Sequence, residues 1–410
     1  MSEPTHAAET VIFGAFDRHN FGDLLFAHVA ERMLPERRLR FAGLAQVDLS
    51  RYGGHKVEAV STLARSCADR PVDIVHVGGE LLTCNAWEAA VMLASTEHAK
   101  AVIDQRAAWR SAPLEWADHH LGIRAWAPYV VPREHFAHTR VLAFNAVGGV
   151  DLNDCEAGMR AQVIETLANA SDVTVRDVVT QQALDASGIA ARLLPDPAVM
   201  VEALFGDVIR ARIASGPVAS IRHACPNGYI AAQFSADFGD DRTLDEVASQ
   251  LDIAAQSHGL GVAFFRAGIA PWHDDRAVFE RTRQRMRAAS VHSAASVHIL
   301  SSPNLWDICA LIAGSRVFCG SSLHGRIVAA AFSLARVNLL HPVLTAAHSK
   351  QAAFAATWED ADMPGAVDVT EIAQAVSAAL AIEPVRHARI ADTLVHTYRQ
   401  GFGRLSALLA

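Results

Sequence analysis

The feature that most constrains the fold is a regular alternation, along the whole chain, of short apolar runs with longer segments whose apolar residues recur at helical spacing. Short apolar runs are typical of buried strands, and their alternation with helices predicts βαβ units with parallel sheets. The sequence therefore predicts an α/β protein.

The predicted elements follow this alternation in both halves of the chain. In the first half, we expect strands at 11–15, 74–77, 141–147 and 173–175, with helices at 23–34 and 87–94 among the segments between them. In the second half, we expect strands at 229–233, 261–265, 297–300, 317–319 and 337–339.

The length of 410 residues favours two domains of about 200 residues each, because one hydrophobic core rarely extends further. A segment with two prolines, 193–199, predicts a turn that closes the first domain. We therefore predict domains at 1–210 and 211–384, and a final helix at 385–410 that packs back across both.

Composition excludes several classes of partner. The formal net charge of −8 argues against a nucleic acid as the main partner, because binding a phosphate backbone needs a basic surface. No apolar stretch reaches about 18 residues, so no integral membrane segment is expected. The first residues lack the basic start and apolar run of a signal peptide, which predicts a cytoplasmic protein.

No metal and no cofactor is predicted. The six cysteines are scattered without a CxxC pair, so we expect reduced thiols. His119 and His120, and the run 273–275, have metal-ligand side chains, but without the spacing of a specific site.

The first segment with chemical potential is 11–34, a predicted strand, a loop with Asn20, Gly22 and Asp23, and a helix. A glycine turn before a helix start can bind an anion through backbone N–H groups. The alternative is structural: Asp23 caps the helix and Gly22 makes the turn.

The second segment ends a predicted strand with Gly78 and Gly79, followed by Glu80. Ligands of open α/β sheets bind at the carboxyl ends of the strands, where paired glycines permit close backbone approach. Glu80 is a candidate base or orienting group; a carboxylate at a helix start is the alternative.

The third segment places Arg176 directly after an apolar strand. A guanidinium at a strand terminus is suited to hold a phosphate or carboxylate. The alternative is an ion pair with Asp177 or Asp196.

The fourth and strongest segment is 316–339, in which a strand and the pair Ser321-Ser322 precede a helix opening with His324 and Gly325. A histidine beside an anion-ready helix start is suited to acid or base catalysis near neutral pH. His341, after the next strand, is the weaker candidate.

These segments, in this order, resemble the polysaccharide pyruvyl transferase family. The matching residues are Asn20, Gly22 and Asp23; Gly78 and Gly79; Arg176 and Asp177; the stretch 195–197; Ser-Ser-Leu-His-Gly at 321–325; and Lys350.

The resemblance implies two Rossmann-like domains whose parallel sheets face each other across a cleft, as in GT-B glycosyltransferases. It also implies phosphoenolpyruvate as the donor, a pair of hydroxyls on a carbohydrate or other glycoside as the acceptor, and a cyclic pyruvate ketal as the product. In the mechanism that this resemblance implies, His324 is the candidate acid, and Asp23 or Glu80 orients or deprotonates the acceptor. The donor-binding set is Asn20, Gly22, Gly78, Gly79, Arg176, Ser321, Ser322, Gly325 and Arg326.

The sequence departs from the family at Ser322, where many members have an arginine before Leu-His. Arg176, Arg326 or Arg316 could take over the contact with the donor carboxylate. Two other functions stay open: a GT-B glycosyltransferase that uses a nucleotide sugar, and a binding protein without turnover.

Overall fold

The computed structural model describes residues 9–287, 296–341 and 349–410, which form two compact units. Unit 1 comprises the described residues up to His19, then Asp23–Pro197 and Thr397–Ala410. Unit 2 comprises Asn20–Gly22 and the described residues of Ala198–His396.

Unit 1 is built on an eight-stranded sheet. Its strands are β1 (Glu9–Phe13), β2 (Leu39–Gly43), β3 (Val47–Asp48), β4 (Lys56–Ala59), β5 (Val72–Val77), β6 (Thr139–Val147), β7 (Asp172–Val175) and β8 (Arg192–Leu193). Their order is β3-β4-β2-β1-β5-β6-β7-β8, and every neighbouring pair is parallel except β3 and β4.

Helices connect these strands. They are α1 (Phe21–Met33), α2 (Val60–Ser66), α3 (Ala86–Leu93), α4 (Thr96–Ile103), α5 (Arg106–Ser111), α6 (Pro113–Leu121), α7 (Ala157–Ala168) and α8 (Val178–Asp185). The first residues of α1 are counted with unit 2 and the remainder with unit 1.

Unit 2 has a six-stranded, all-parallel sheet of order β11-β10-β9-β12-β13-β14. The strands are β9 (Tyr229–Gln233), β10 (Gly261–Phe264), β11 (Val297–Ile299), β12 (Val317–Gly320), β13 (Ala335–Leu339) and β14 (Ala366–Val367). The helices are α9 (Val201–Ile213), α10 (Gly216–Ala224), α11 (Asp241–His258), α12 (Arg276–Arg285), α13 (Leu305–Ala313), α14 (Leu323–Ala331), α15 (Lys350–Trp358) and α16 (Ile372–Leu380). The last helix, α17 (Pro384–Leu409), is counted with unit 2 up to His396 and with unit 1 from Thr397.

The core of each unit follows from covering a parallel sheet on both faces. Every residue of β1 and β5 in unit 1, and of β9 and β12 in unit 2, is buried. The sequence of a strand buried on both faces is a nearly continuous apolar run, whereas a strand with one solvent-exposed face shows alternating apolar and polar residues. This is why the sequence revealed the central strands directly.

The nine strands predicted from apolar runs are all present, and the shorter or half-buried strands β2, β3, β4, β8 and β14 were missed. The missed strands lie toward the sheet edges or carry charged residues, as in Lys56–Ala59, so their sequences lack a continuous apolar run. Among the described helices, none combines the length and apolarity needed to cross a bilayer.

Parallel strands bring their carboxyl ends to one edge of each sheet. In unit 1 this edge collects the residues after β1, β5, β6 and β7, which include Gly78, Gly79 and Arg176. In unit 2 the corresponding edge collects the residues after β9, β10 and β12, which include Ser321 and Ser322.

Candidate functional site

The glycine pair after β5 adopts a backbone conformation that favours glycine. Gly78 and Gly79 have φ of +55° and +78°, a region that disfavours side chains. A Cβ on Gly78 would lie 2.6 Å from the ring of Phe26, so the turn also allows α1 to pack closely. A second pair, Gly148 and Gly149, follows β6 and was not predicted from the sequence. Its Val-Gly-Gly sequence repeats that of residues 77–79 and could have revealed it.

Arg176 follows β7 and is buried in a set of carboxylates. Its guanidinium forms an ion pair with Glu80, and its Nη1 lies 3.3 Å from Asp196 Oδ2. A Cβ on Gly148 would lie 2.6 Å from this guanidinium, so the second glycine pair makes room for it. Burial lowers the pKa of Arg176, but the surrounding carboxylates outweigh burial and the net shift is upward.

These contacts bear out the ion-pair alternative for Arg176 through Asp196. Asp177 has a different role, because its Oδ1 accepts from the amide of Thr180 at 2.7 Å and caps α8. Glu80 is fixed on both sides: besides Arg176, the amide of Val150 donates to its Oε1 at 2.9 Å. Arg176 thus holds Glu80 in place.

A chain of polar contacts that the sequence did not indicate follows β1. The Tyr129 hydroxyl donates to Asp17 Oδ1 at 2.7 Å and accepts from Arg18 Nη1 at 2.9 Å. Arg18 Nη2 also lies 3.7 Å from Asp23 Oδ2. Burial raises the pKa of Asp17. The buried Asp23 therefore faces a guanidinium at this sheet edge.

The helix start at 20–22 is counted with unit 2. Asn20 pairs with Gly268 in an isolated antiparallel bridge, and the amide of Phe21 donates to the carbonyl of Ala267 at 2.8 Å. Asn20 Oδ1 accepts from the amide of Gly22 at 3.1 Å. The side-chain cap of α1 is therefore Asn20, and the alternative that Asp23 caps this helix is wrong.

His324 lies against the backbone of this helix start. A Cβ on Gly22 would stand 1.9 Å from Cγ and Nδ1 of the imidazole, so only glycine fits at position 22. The ring of Phe21 meets the imidazole edge-on, with centroids 6.3 Å apart. His324 is largely buried but retains an exposed fraction of 8%. The structure thus brings together His324, Asn20 and Gly22.

The two serines before α14 have separate structural partners. Ser322 caps the helix, because its Oγ accepts from the amide of Gly325 at 3.1 Å. Ser321 Oγ accepts from the amide of Ser235 at 3.1 Å. Gly325 is required by packing, since a Cβ there would lie 2.4 Å from the ring of Phe318.

Gln233 and Asp274 anchor this turn, and neither was predicted from the sequence to do so. Gln233 Oε1 accepts from the amide of Ser322 at 2.9 Å, and its Nε2 donates to both carboxylate oxygens of Asp274 at 2.9 Å. Asp274 Oδ2 also accepts from the amide of Ala267 at 2.6 Å. The residue is partly exposed, but its carboxylate is enclosed, and burial raises its pKa to about 7.

Arg326 does not belong with the donor-binding residues. It is fully buried, and its Nε and Nη2 donate to the two oxygens of Glu359 at 2.8 and 2.7 Å. Its Nη1 donates to Asn338 Oδ1 at 3.1 Å. Burial acts to raise the pKa of Glu359, but Arg326 and Arg336 outweigh it and lower the pKa to about 2. The predicted donor contact is replaced by an ion pair that anchors α14.

The structure places the three remaining candidates as follows. Arg316 precedes β12, at the end of the strand opposite the serine turn. His341 Nε2 is 3.0 Å from the carbonyl of Asp237, and Lys350 is the exposed first residue of α15.

Among the residues that the structure describes, one set of side chains could hold a metal ion. His28, Glu31 and His55 offer ligand atoms within 4.8 Å of one another. Both imidazoles make contacts within the protein: His28 Nε2 is 2.7 Å from the carbonyl of Gly53, and His55 Nε2 is 3.4 Å from Glu31 Oε2. Burial lowers the pKa of His28 to about 4.

Comparison with protein families gives one match. The model of the polysaccharide pyruvyl transferase family matches residues 146–333, which include Arg176 and His324. The resemblance expected from the sequence is therefore confirmed, and the match indicates a transferase. The comparison with curated proteins gave no match.

Comparison with solved structures identifies the fold. A UDP-GlcNAc 2-epimerase from Methanocaldococcus jannaschii aligns with a TM-score of 0.52 at 8% identity, over 95% of this chain and 99% of that one. An S. aureus MnaA structure with UDP aligns with a TM-score of 0.50 at 10% identity, over 93% and 90%. The predicted class, α/β with two parallel-sheet units of GT-B type, is confirmed.

The ion pair of Arg326 gives a stability prediction. Glu359→Ala leaves two buried guanidiniums without their carboxylate, so we expect a loss of about 3–5 kcal/mol in the free energy of unfolding of unit 2. Chemical denaturation measures it. The control Glu383→Ala removes an exposed carboxylate and should stay within about 0.5 kcal/mol of the wild type. Equal effects of the two substitutions would contradict the assignment.

The enclosed carboxylate of Asp274 gives a pH prediction. Its pKa is raised to about 7 in the folded state, so the folded chain retains a proton that the unfolded chain releases from about pH 4. The stability contributed by that proton is lost as the pH rises toward 7. Asp274→Asn should flatten the decline in free energy of unfolding over this range, and exposed Asp69→Asn should not. The same slope in both variants would refute the placement.

Proposed function

We propose that this chain, which matches the polysaccharide pyruvyl transferase family over residues 146–333, transfers pyruvate from phosphoenolpyruvate to two hydroxyls of a sugar and forms a cyclic ketal. The observation that carries the proposal is the position of His324. It stands at the first turn of α14, beside a serine turn, with its ring against the backbone of Gly22.

The chemistry begins with proton transfer. His324, as imidazolium, protonates the methylene carbon of the donor, and the neighbouring carbon becomes oxocarbenium-like. A sugar hydroxyl attacks that carbon and loses its proton to a carboxylate. The second hydroxyl then displaces inorganic phosphate, which closes the ketal. Two hydroxyl protons are released and one is taken up by the methylene carbon, so the remaining proton leaves with phosphate and the balance closes.

The donor anion needs positive charge and N–H groups near His324. The start of α14 supplies backbone dipoles, although the N–H of Gly325 is already used by Ser322. Arg266 follows β10 in the same unit, is half-buried, and interacts electrostatically with Asp274. Arg266 therefore fits the role of the arginine that the sequence lacks at position 322 better than Arg326, whose donors are engaged.

The acceptor needs a group that takes a proton. Asp23 and Glu80 remain the predicted candidates for this role. The contacts that support Glu80 are its ion pair with Arg176 and the bond from Val150, because they fix one orientation of the carboxylate. Asp23 follows Gly22 directly in the chain and lies beside Arg18.

The rival functions are separated by one assay. The structural relatives include an epimerase complex with UDP-GlcNAc and UDP, but at 8% identity this likeness shows the fold alone. Incubation with phosphoenolpyruvate and a panel of glycosides, with phosphate release and acceptor mass followed together, tests the proposed reaction. Turnover of a UDP-sugar instead would establish the glycosyltransferase, and ligand-induced stabilisation without any turnover would establish a binding protein.

His324→Ala should lower the turnover of phosphoenolpyruvate by about 100-fold or more, because a positioned acid contributes on that scale. The rate of phosphate release measures it. His258→Ala, which removes a surface imidazole bonded to Ser377 in the same unit, serves as the control and should leave the rate unchanged. Turnover of the His324 variant at the wild-type rate would remove the imidazole from the mechanism.

Gly22→Ala should reduce turnover on a similar scale, because the new methyl group would occupy the position of the His324 ring. Alanine normally stabilises a helix relative to glycine, so a loss here reports the clash and not helix propensity. Gly403→Ala is the matched control, since a Cβ there meets nothing within 4 Å. If the Gly22 variant keeps full activity, the contact between residues 22 and 324 has no catalytic importance.

A further inference from the structure

Unit 1 contains a cavity of about 370 Å³ whose lining residues lie outside the four segments predicted to carry chemistry. Its wall includes Thr83 from the segment after β5, residues from α3 and α5, and residues of the segment 151–159. The volume lies in the range of small-molecule pockets, about 300–1,000 Å³. The cavity is therefore large enough for a ligand of sugar size.

Two indole rings line this cavity. Trp109 and Trp126 meet edge-on with centroids 6.5 Å apart, and Trp87, which is outside the lining, stacks on Trp109 with centroids 6.3 Å apart. Trp109 is only 3% exposed, and among the described residues its Nε1 has no hydrogen-bond partner. A buried N–H without an acceptor is costly, so this donor indicates that a ligand or water supplies one.

The charged side chains of the wall are all acidic. They are Glu88, Asp151, Asp154 and Glu156, and no lysine or arginine is among the lining residues. Cys155, which lies between them, shows their effect: burial first, and then the neighbouring carboxylates, raise the pKa of its thiol to about 11. Carboxylates accept hydrogen bonds from hydroxyl groups and repel another anion.

The cavity adjoins the carboxylate that is a candidate for orienting the acceptor. Thr83 lines the cavity, and its hydroxyl donates to Glu80 Oε1 at 3.4 Å. Glu80 is held by Arg176 at the carboxyl edge of the sheet. A ring bound in the cavity would thus lie near a fixed carboxylate.

We propose that this cavity, the tryptophan pocket, binds a pyranose ring that carries no negative charge and serves as the acceptor subsite. The half-buried Trp126 offers apolar indole surface to the C–H groups of the ring, the carboxylates accept from its hydroxyls, and the indole N–H of Trp109 donates to a ring or hydroxyl oxygen. The acceptor role rests on the proposed function; the binding of an uncharged sugar does not.

The test is a binding measurement that needs no turnover. Saturation-transfer NMR with the full chain compares methyl β-D-galactopyranoside and methyl β-D-glucopyranoside with methyl β-D-glucuronide. We expect binding of at least one neutral glycoside and none of the glucuronide, because four carboxylates surround the site. Equal or stronger binding of the glucuronide would overturn the proposal.

Variants locate the bound ring. Trp126→Ala and Asp154→Asn should each weaken the neutral glycoside by about tenfold or more, through lost stacking and a lost charge-assisted hydrogen bond. The controls are Trp272→Ala, an exposed tryptophan in unit 2, and Asp118→Asn, an exposed carboxylate in α6. Asp154 is itself exposed, so its variant should fold even if loss of Trp126 impairs packing. Unchanged affinity in Asp154→Asn would refute the site.

The two proposals fail in different ways. Binding that is lost in the pocket variants, without phosphate release from phosphoenolpyruvate, would support the pocket and refute the pyruvyl transfer. Phosphate release and an acceptor mass gain that both persist unchanged in Asp154→Asn and Trp126→Ala would refute the acceptor role of the pocket and leave the pyruvyl transfer standing.

Discussion

The structure of the candidate site depends on the absence of a side chain at Gly22. The imidazole of His324 occupies the space in which a Cβ would stand, 1.9 Å from the ring atoms, and Phe21 covers the imidazole from one side. The same helix start is tied to the loop after β10 by Asn20 and by the amide of Phe21. Packing against the backbone of Gly22 and against the ring of Phe21 fixes the position of the imidazole, whose task in the proposed reaction is to transfer a proton.

Buried arginines show why a charged residue after a strand is an ambiguous signal. Arg176 and Arg326 each lie close to a motif of the site, and both are buried among carboxylates. A buried guanidinium without such partners would be strongly unfavourable, so the pairs are required by burial itself. Arg176 in turn orients Glu80, whereas Arg326 anchors the helix that carries His324. The arginine proposed for the donor contact is Arg266, which interacts electrostatically with Asp274. No sequence motif singled it out.

The candidate site was only partly predictable from the sequence. His324, Gly22 and Asn20 were identified because a glycine or serine turn before a helix start has a local pattern. Gln233 and Asp274 were not assigned to the site, although they hold the serine turn, because their relation to Ser322 arises from the neighbouring strand β9 and from a loop about forty residues further on. The contact between Asp17 and Tyr129 joins residues 112 apart in the chain, and the tryptophan pocket draws its wall from segments between Thr83 and Met159. No local sequence pattern records such contacts.

The sequence by itself determined the α/β class, the central strands and the two helix starts, because continuous apolar runs and glycine or serine turns are local consequences of burial and of backbone geometry. Only the tertiary structure decided which charged groups are used up in ion pairs, which residue caps α1, and which acidic and aromatic side chains enclose a cavity. These outcomes depend on distances between segments remote in the chain, and the packing of whole sheets sets those distances.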